Sequence, residues 1–407
     1  MLLLAAIPLA APGAGMVPAA ASGEPDWLLG PYGGGLGLSG GVYLGFLWVA
    51  FLAYAAVLAG ISFLPGRAVA AAIAVCVLAF ALAPPLLSQD VFSYISYARL
   101  GAEHGLNPYV AVPLDVPSDP ALPYVGRSGP PEDLGWQDDV SAYGPLFTIA
   151  TYPLAWLSGP AAMWVLKAIA ALSVLGLAAL AARLAPARGV DPRFAAAFVA
   201  LNPLVLVHVV GGAHNDGLMM LLVLAGCGAV AAAREAGGGA TLATAVAFKV
   251  SAAFAAPFAL LGAARRGRLL AGAAVALLAI AAVSVAAFGD HGLDAVGLVG
   301  ENQAKTSHYS LPGTFARITG LDADGVRVSA LILYAIAVAF LLWRTWRGGD
   351  WLEGAGWAAL GLLLATGWLL PWYLIWLLPF AALAGSGPLT TAALALTAFS
   401  LINRVPL

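Results

Sequence analysis

Among the ionisable side chains that stand inside or beside apolar runs of this chain, the first candidates for chemistry are Asp90, His214, Asp216 and Lys249. Asp90 comes directly after an apolar run. A carboxylate at that place could accept a proton from a hydroxyl as a general base, provided it lies within hydrogen-bonding distance. It could equally be an ordinary loop carboxylate that marks the end of a membrane span. The apolar and aromatic pattern of residues 91–103 predicts a helix that lies in the membrane interface.

Residues 211–217 read Gly-Gly-Ala-His-Asn-Asp-Gly and separate two apolar runs. Ionisable groups inside a membrane are costly unless they face water or a partner, so His214, Asn215 and Asp216 indicate a functional site. The alternative is a polar turn in which Asn215 or Asp216 caps the helix that follows.

Lys249 interrupts the otherwise apolar residues 239–263, which also contain Pro257. Near a helix end, a lysine could extend its ammonium group to the interface. In the middle of a segment an anionic partner is favoured, and a lipid phosphate suits the charge of Lys249. Lys167 is a weaker case, since it lies near the middle of an apolar run and could pair with a carboxylate.

Further binding candidates lie in two polar stretches and one aromatic stretch. The polar residues around His308 could bind a sugar or a phosphate, but many solvated loops have the same composition. The aromatic residues around Trp372 are typical of an interfacial belt, and they could also stack on a sugar. The substrate-binding candidates outside the three groups above are Tyr94, Arg99, Asn107, Tyr109, Tyr143, His308, Arg317, Trp372 and Tyr373.

The composition excludes a soluble globular protein. Of the 407 residues, 62% are hydrophobic and only 9% are charged, whereas charged residues normally make up roughly a quarter of a globular chain. The apolar runs are continuous rather than alternating, so the fold class is an all-α polytopic membrane protein and not a barrel. A net charge of -2 gives no basic footprint for nucleic acid. Cys76 and Cys227 both lie inside apolar runs and form neither a disulfide framework nor a metal pair.

The apolar stretches predict about 11–13 transmembrane helices in a single integral membrane domain, residues 1–407. The first stretch has no Lys or Arg before its apolar part, as a cleaved signal peptide normally would, so we expect it to be retained. Two further stretches, 143–158 and 239–263, are interrupted by prolines. The predicted spans lie at about residues 1–21, 38–62, 67–88, 160–182, 194–212, 216–233, 269–288, 326–343, 353–370, 372–386 and 388–403.

Arginine-containing short loops predict the orientation of these spans, because cytoplasmic loops carry an excess of Lys and Arg. If all of them are cytoplasmic, residues 143–158 do not cross, and residues 239–263 enter and leave on one side as two half-helices that meet near Lys249. The alternative is that both segments cross fully and leave some arginines outside. The basic loops contain Arg67, then Arg183, Arg188 and Arg193, then Arg234, then Arg265, Arg266 and Arg268, then Arg344 and Arg347.

This orientation makes two long outer loops, residues 89–142 and 289–325, and places Asp90 outside. It leaves no sizeable cytoplasmic domain that could bind a nucleotide. The run Gly33–Gly35 lacks the lysine and the helix that a phosphate-binding loop requires.

An ordered set of short motifs resembles a known family. These are Gln89-Asp90-Val91-Phe92-Ser93-Tyr94, Gly105-Leu106-Asn107-Pro108-Tyr109, Tyr143-Gly144-Pro145-Leu146-Phe147, Leu201-Asn202-Pro203-Leu204, Gly211-Gly212-Ala213-His214-Asn215-Asp216 and Pro371-Trp372-Tyr373. From about residue 38 onward, the chain is similar to the actinobacterial polyprenol-phosphomannose-dependent α-1,6-mannosyltransferases of the GT-C superfamily.

The resemblance implies a GT-C-like helical bundle with interfacial helices in the first outer loop and a catalytic cavity at the outer face of the cytoplasmic membrane. It implies a polyprenyl-phosphate sugar donor, typically mannose, and a glycan or glycolipid acceptor. By match to the family's motifs, Asp90 is the general base. Lys249 matches a position where related enzymes place a basic residue that faces the donor phosphate.

The implied reaction agrees with the chemistry of the residues. The base deprotonates the acceptor hydroxyl while it attacks the anomeric carbon from the face opposite the phosphate, and a cation stabilises the departing phosphate. A divalent metal could supply that charge instead, but no ligand spacing is diagnostic of one. A transporter or flippase of a lipid-linked sugar is the alternative, because it would use the same intramembrane polar residues as a path.

Overall fold

The structure is a computed structural model that describes residues 6–9, 11, 30–32, 36–126, 136–293, 307, 309–385 and 387–403. Every regular element within these ranges is helical. Short 3-10 turns join several of the helices, and residues Val205–Gly211 form a π-helical segment. In chain order the α-helices are α1 Gly40–Ala59, α2 Gly66–Ala81, α3 Asp90–Ala102, α4 Pro145–Thr151, α5 Gly159–Leu184, α6 Pro192–Ala200, α7 Asp216–Ala231, α8 Glu235–Phe248, α9 Ala256–Gly262, α10 Arg266–Phe288, α11 Leu311–Thr319, α12 Ala323–Trp346, α13 Trp351–Ala365, α14 Leu378–Ala384 and α15 Pro388–Asn403.

Several of these helices are long and apolar enough to cross a membrane. Four pass by length and composition: Gly40–Ala59, Gly159–Arg188, Arg266–His291 and Ala323–Trp346. Shorter apolar helices of 10–17 residues occupy most of the other predicted stretches. The all-α polytopic class is therefore confirmed, while the count of about 11–13 crossings stays a prediction. The stretch 1–21 lies largely outside the described residues.

The predicted span 194–212 is not one straight helix. It consists of Pro192–Ala200 and Val205–Gly211, which together make a fifth candidate span with a bend of 64°. The cause is Pro203, which has no backbone N–H and disrupts a continuing helix. The Asn202 side chain accepts the Leu204 N–H at 3.0 Å and donates to Thr397 at 3.1 Å, so the polar groups at the bend are paired inside the bundle.

The five basic loops meet at one end of the bundle. We refer to this end as the basic end. Because α10 has 23 residues and a helix rises about 1.5 Å per residue, the opposite end lies roughly a bilayer thickness away. The contacts that join the basic loops are Arg193 with the Leu64 carbonyl, Arg188 with Asp350, the Gly262 backbone with the Trp351 ring, and the Gly272 backbone with the Ala236 carbonyl.

Residues 239–263 form the two half-helices that the arginine pattern predicts. Helix α8 ends at Phe248, Lys249 is extended, and a 3-10 turn leads into α9. The start of α8 lies against the start of α10, where Ala236 contacts Gly272. Since α9 connects directly to that same start of α10, the chain must return from Lys249 to the basic end. The segment is thus a hairpin that enters and leaves at one end.

The polar stretch between α2 and α5 covers the opposite end, which we call the site end. Residues 143–158 form only α4 and a 3-10 turn, Tyr152–Trp156, so they do not cross the bundle. Gly144 donates to the Phe248 carbonyl at 3.2 Å, which attaches the stretch to the hairpin. Helix α3 differs from the interfacial helix that the sequence predicts, because residues 90–98 are all buried. The 3-10 turns of the loop and α4 cover the face that was expected to meet lipid.

Candidate active site

Asp90 is the first residue of α3, at the point where the chain enters the site end. The preceding turn is strained, because Leu87 has a left-handed backbone with φ of 58°. The Asp90 N–H donates to the Ser88 hydroxyl at 3.2 Å. A carboxylate in the first turn of a helix interacts favourably with the helix dipole. The local fold thus directs Asp90 inward and favours its ionised form.

The Asp90 carboxylate is held by groups from two distant parts of the chain. Trp136 donates its indole N–H to Oδ1 at 3.1 Å, and His214 Nε2 lies 3.5 Å from Oδ2. Burial raises the pKa of the Asp90 carboxyl, but the hydrogen bond and charge of His214 and the charge of Lys249 outweigh it. The pKa of Asp90 consequently lies below its ordinary value, and the group is ionised at neutral pH. It retains 8% exposure, which gives a ligand access to it.

His214 is fully buried, and its ring orientation is fixed from both sides. The turn before it contains Ala213 with φ of 57°. His214 Nδ1 lies 2.6 Å from the His208 carbonyl, which can only accept, so Nδ1 carries a proton. Nε2 therefore faces Ser88, at 3.1 Å, and Asp90. The imidazole ring stacks on Trp372 with a centroid distance of 3.7 Å.

Asp216 and Lys249 form a second pair at the site end. Asp216 is fully buried at the start of α7, and Lys249 Nζ donates to its two oxygens at 2.8 and 2.9 Å. Trp376 also donates to Asp216, at 2.7 Å. Lys249 Nζ lies over the Tyr373 ring, 5.0 Å from its centroid, as cation–π attraction favours. The break between the two half-helices is what brings this lysine to the aromatic cluster.

The two pairs share one aromatic wall. Trp372, under His214, and Tyr373, under Lys249, are neighbours with ring centroids 6.1 Å apart. Tyr94 packs edge-on against Tyr143 at 4.8 Å. Tyr94 and Asn215 line a small cavity beside His214. The structure thus brings together Asp90, Tyr94, Tyr143, His214, Asn215, Asp216, Lys249, Trp372 and Tyr373, which we call the site cluster.

Three other candidates lie in the first loop with partners of their own. Arg99 pairs with Asp119 at 2.9 Å. Asn107 donates to the Phe288 carbonyl at 3.0 Å, and Tyr109 donates to the Tyr143 carbonyl at 2.8 Å. The bond from Asn107 attaches the loop to α10, and the other two join parts of the polar stretch to each other.

Of the two candidates from the second polar stretch, Arg317 is the one that lies within the described residues. Arg317 is exposed on α11. His308 lies outside the described residues.

Three residues of the site were not among the sequence candidates: Ser88, Trp136 and Trp376. Each donates to or faces an ionisable member of the cluster. Trp376 is 160 residues from Asp216 in the chain, and Trp136 is 46 from Asp90. The only local signal was the aromatic stretch that contains Trp376, which an interfacial belt would also produce.

Within the part of the chain that the structure describes, no group of three or more His, Cys, Asp or Glu side chains is arranged to hold a metal ion. Asp90 and Asp216 are instead each matched by a basic side chain and a tryptophan N–H. The ionised Asp90 carboxylate faces His214, which stacks on one ring of the aromatic wall, and the Lys249 ammonium group lies over the next ring. This arrangement suits proton transfer beside an anionic leaving group.

The fold and the site define a polytopic helical membrane protein with an acid–base cluster at one end of its bundle. Residues 4–265 match the family model described as alpha-(1→6)-mannopyranosyltransferase, N-terminal domain. Because the match covers more than half of the chain, the protein belongs to this family.

Relatives named alpha-(1→6)-mannopyranosyltransferase occur in mycobacteria and corynebacteria. Alpha-(1→6)-mannopyranosyltransferase A of Mycobacterium tuberculosis is 29% identical over 344 residues, which are 74% of this chain and 62% of that protein. Alpha-(1→6)-mannopyranosyltransferase A of Corynebacterium glutamicum is 31% identical over 179 residues, which are 43% of this chain and 35% of that protein. The chain therefore spans about three fifths of the mycobacterial relative. No solved structure matches it.

Proposed function

We propose that the protein is an inverting glycosyltransferase that moves mannose from a polyprenyl phosphate to a hydroxyl of a glycan or glycolipid acceptor. The observation that carries the proposal is that His214, which faces Asp90, stacks on Trp372, while Lys249 lies over the neighbouring ring of Tyr373. The relatives' names supply the sugar and the α-1,6 linkage. The motifs around the site cluster support the lipid-phosphate donor.

Asp90 acts as the general base in this proposal. Its carboxylate takes the proton of the acceptor hydroxyl while the hydroxyl oxygen bonds to the anomeric carbon. The bond from that carbon to the phosphate oxygen breaks on the opposite face, so the configuration inverts. His214 orients Asp90, because its Nδ1–H is fixed on the His208 carbonyl and its Nε2 faces the carboxylate.

Lys249 stabilises the departing phosphate. Its ammonium group has three N–H donors, and two of them go to Asp216. The third can reach a phosphate oxygen, since the side chain is 18% exposed whereas Asp216 is buried. Asp216 thereby holds the lysine in place without occupying the face that the donor approaches.

The site end faces outward in this proposal. The basic loops all lie at the other end, and the positive-inside rule assigns that end to the cytoplasm. The site cluster then lies at the outer surface of the cytoplasmic membrane. A donor carried by a lipid is suited to this location, because its phosphate is both membrane anchor and leaving group and no nucleotide is required.

The test is transfer by the purified protein in detergent. We expect product by mass spectrometry from polyprenyl-phosphate mannose with a mannan acceptor, and none from the corresponding glucose donor. Asp90→Asn should lower the rate by on the order of 10²–10⁴-fold while the protein stays folded. Asp115→Asn is the matched control, because it changes an exposed carboxylate in the same loop. Robust turnover by Asp90→Asn would refute the assignment of the base.

The same assay separates the enzyme from the transporter alternative. Detergent micelles have no two compartments, so transport leaves no chemical trace there, whereas transfer produces a new glycoside. Absence of product with every donor, together with movement of the lipid-linked sugar across reconstituted vesicles, would favour the transporter.

A further inference from the structure

Lys167 is a buried charge that the proposed reaction does not use. It lies within α5, in a span that is otherwise apolar, and its side chain has no solvent exposure. A lysine there is costly, because burial removes the water that solvates its ammonium group. An apolar residue of similar volume would carry no such cost. Its Nζ donates to two carbonyls, Gly211 at 2.7 Å and Val210 at 3.4 Å.

The Gly211 carbonyl is a junction between the two segments that carry the acid–base pair. Besides Lys167, it accepts the N–H of Leu86 at 3.2 Å. Leu86 leads through Leu87 into Ser88 and Asp90. Gly211 ends the π-helical segment and leads through the turn at Ala213 into His214. One oxygen therefore connects the chain before Asp90 to the chain before His214.

The geometry at this junction is constrained from several directions. A side chain on Gly211 would lie 2.8 Å from the Leu86 side chain, so the two segments touch. Leu87 and Ala213 both have left-handed backbones, with φ of 58° and 57°. Residues other than glycine keep such a conformation only where their surroundings enforce it. Carbonyls at a helix end inside a membrane also require a donor from the protein, since water is absent.

We propose that Lys167 is a positioning residue that fixes the distance between Asp90 and His214 by holding the Gly211 carbonyl. The expected loss of transfer rate rests on the proposed function. The expected loosening of the Gly211–His214 turn when the lysine is lost does not depend on what the enzyme transfers. Lys167 touches neither substrate nor reacting atoms, and it acts through the backbone.

The experiment compares four variants of the full chain in detergent. Lys167→Met removes the charge and both donors at similar volume. Lys167→Arg keeps charge and donors, and Lys167→Gln keeps an amide NH₂ donor group without charge. Leu177→Ala is the control for lost stability, because Leu177 is a buried core residue on the same helix, remote from the junction.

The readouts are the mannose-transfer kinetics over pH and the hydrogen exchange of the backbone amides of Leu86 and of residues 212–214. We expect Lys167→Met to lower kcat about tenfold or more, with KM for the donor changed less than about threefold, because misplaced groups affect the chemical step. The acid limb of the pH–kcat profile should move to higher pH, because His214 moves away from Asp90 and lowers its pKa less. The other titratable groups that face Asp90 (Lys249, Tyr94, Tyr97 and Tyr143) are unchanged. Exchange at Leu86 and residues 212–214 should rise. Lys167→Arg should recover part of kcat.

The inference is overturned if Lys167→Met has the same kcat, pH profile and amide protection as the wild type. It is also overturned if Lys167→Met changes these three quantities no more than Leu177→Ala does. If Lys167→Met does not fold, Lys167→Gln decides on the same readouts. If the wild type transfers no sugar, the proposed function fails, and the amide exchange still decides whether Lys167 holds the turn.

Discussion

Asp90 can act as a base only while it is ionised, and its neighbours set the pH at which that charge is lost. Burial raises its pKa, but His214 and Lys249 lower it further than burial raises it. The folded-state pKa is thus below that of the unfolded chain. Ionised Asp90 therefore contributes stability above the unfolded value, and both this stability and the base are lost as pH falls through the lowered pKa.

Replacing His214 by Gln should reveal this balance. The variant loses the charge that opposes burial, so the pKa of Asp90 rises and the acid limb of kcat moves to higher pH. The phenols of Tyr94, Tyr97 and Tyr143 also face Asp90, but burial raises their pKa values and they stay neutral. The measurement is a pH–rate profile from acid to neutral pH.

The control for this prediction is His104→Gln. His104 is the histidine of the stretch between α2 and α5 that pairs with Asp119 at 2.6 Å. Its substitution should leave the acid limb where it is. An unchanged acid limb in His214→Gln would show that His214 does not set the charge of Asp90.

The Asp216–Lys249 pair predicts an asymmetric response to mutation. Lys249→Met leaves a fully buried carboxylate that keeps the Trp376 N–H but has lost its ammonium partner, which should cost about 3–5 kcal/mol. Asp216→Asn in the same chain removes that charge, so the double variant should regain most of the stability but not the transfer activity. The coupling free energy between Asp216 and Lys249 is measured by unfolding the wild type, both single variants and the double variant in detergent. Stability losses that simply add would contradict a paired interior site.

The sequence could identify most ionisable members of the site cluster but not their hydrogen-bond partners. Asp90, His214, Asp216 and Lys249 are conspicuous, because polar groups in apolar runs are costly. Trp136 and Trp376 are not conspicuous, since a tryptophan at the end of a span is also typical of the membrane interface. Arg99 and Asn107 resemble site residues in sequence, but in the structure Arg99 pairs with Asp119 within the loop and Asn107 fastens the loop to Phe288 of α10.

At the level of elements, the hairpin that presents Lys249 depends on close contact between α8 and α10. Gly272 lies directly against the Ala236 carbonyl, and Gly239 against the Leu269 carbonyl, with no room for a Cβ at either position. Glycine permits such backbone approach between membrane helices. The position of Lys249 therefore depends on glycines some two to four helical turns away from it.

Gly272→Ala should destabilise the protein, although alanine favours a helix by about 1 kcal/mol over glycine. The added methyl group meets backbone that cannot move without separating the helices, at a cost of about 1–3 kcal/mol. Thermal unfolding in detergent measures the net effect. Gly267→Ala is the matched control on the same helix, since nothing lies within 4 Å of its Cβ position, and it should stabilise slightly. Equal shifts in the two variants would contradict the close contact.

The sequence predicted the hairpin and the non-crossing segment 143–158 because arginine positions constrain how many times a chain crosses. It did not predict the 64° bend of the span 194–212, although Pro203 was visible, because prolines also occur in merely kinked helices. Nor did it predict the burial of α3. Its aromatic pattern suits an interface, and the covering loop supplies a protein surface instead of lipid.

At the scale of the whole molecule, the separation of a basic end from a site end is the feature that connects fold to function. Each basic loop contacts another at one end, while the Asp90–His214 and Asp216–Lys249 pairs lie at the other. The long polar stretch between α2 and α5 belongs to the site end. In the proposed reaction, the acceptor glycan would reach the cluster from the side that carries the loops, and the donor lipid from the surrounding bilayer.

Cysteine labelling in intact cells tests this orientation directly. Val110 is exposed at the site end and Ala187 is exposed at the basic end, and neither belongs to the site cluster. A membrane-impermeant maleimide should label Val110→Cys from outside, and Ala187→Cys only after permeabilisation. Background should be low, because the chain's two cysteines, Cys76 and Cys227, are buried. The opposite pattern would place the site cluster in the cytoplasm, where a lipid-phosphate donor would have to be presented on the inner leaflet, and the proposed location would be wrong even if the transfer chemistry were right.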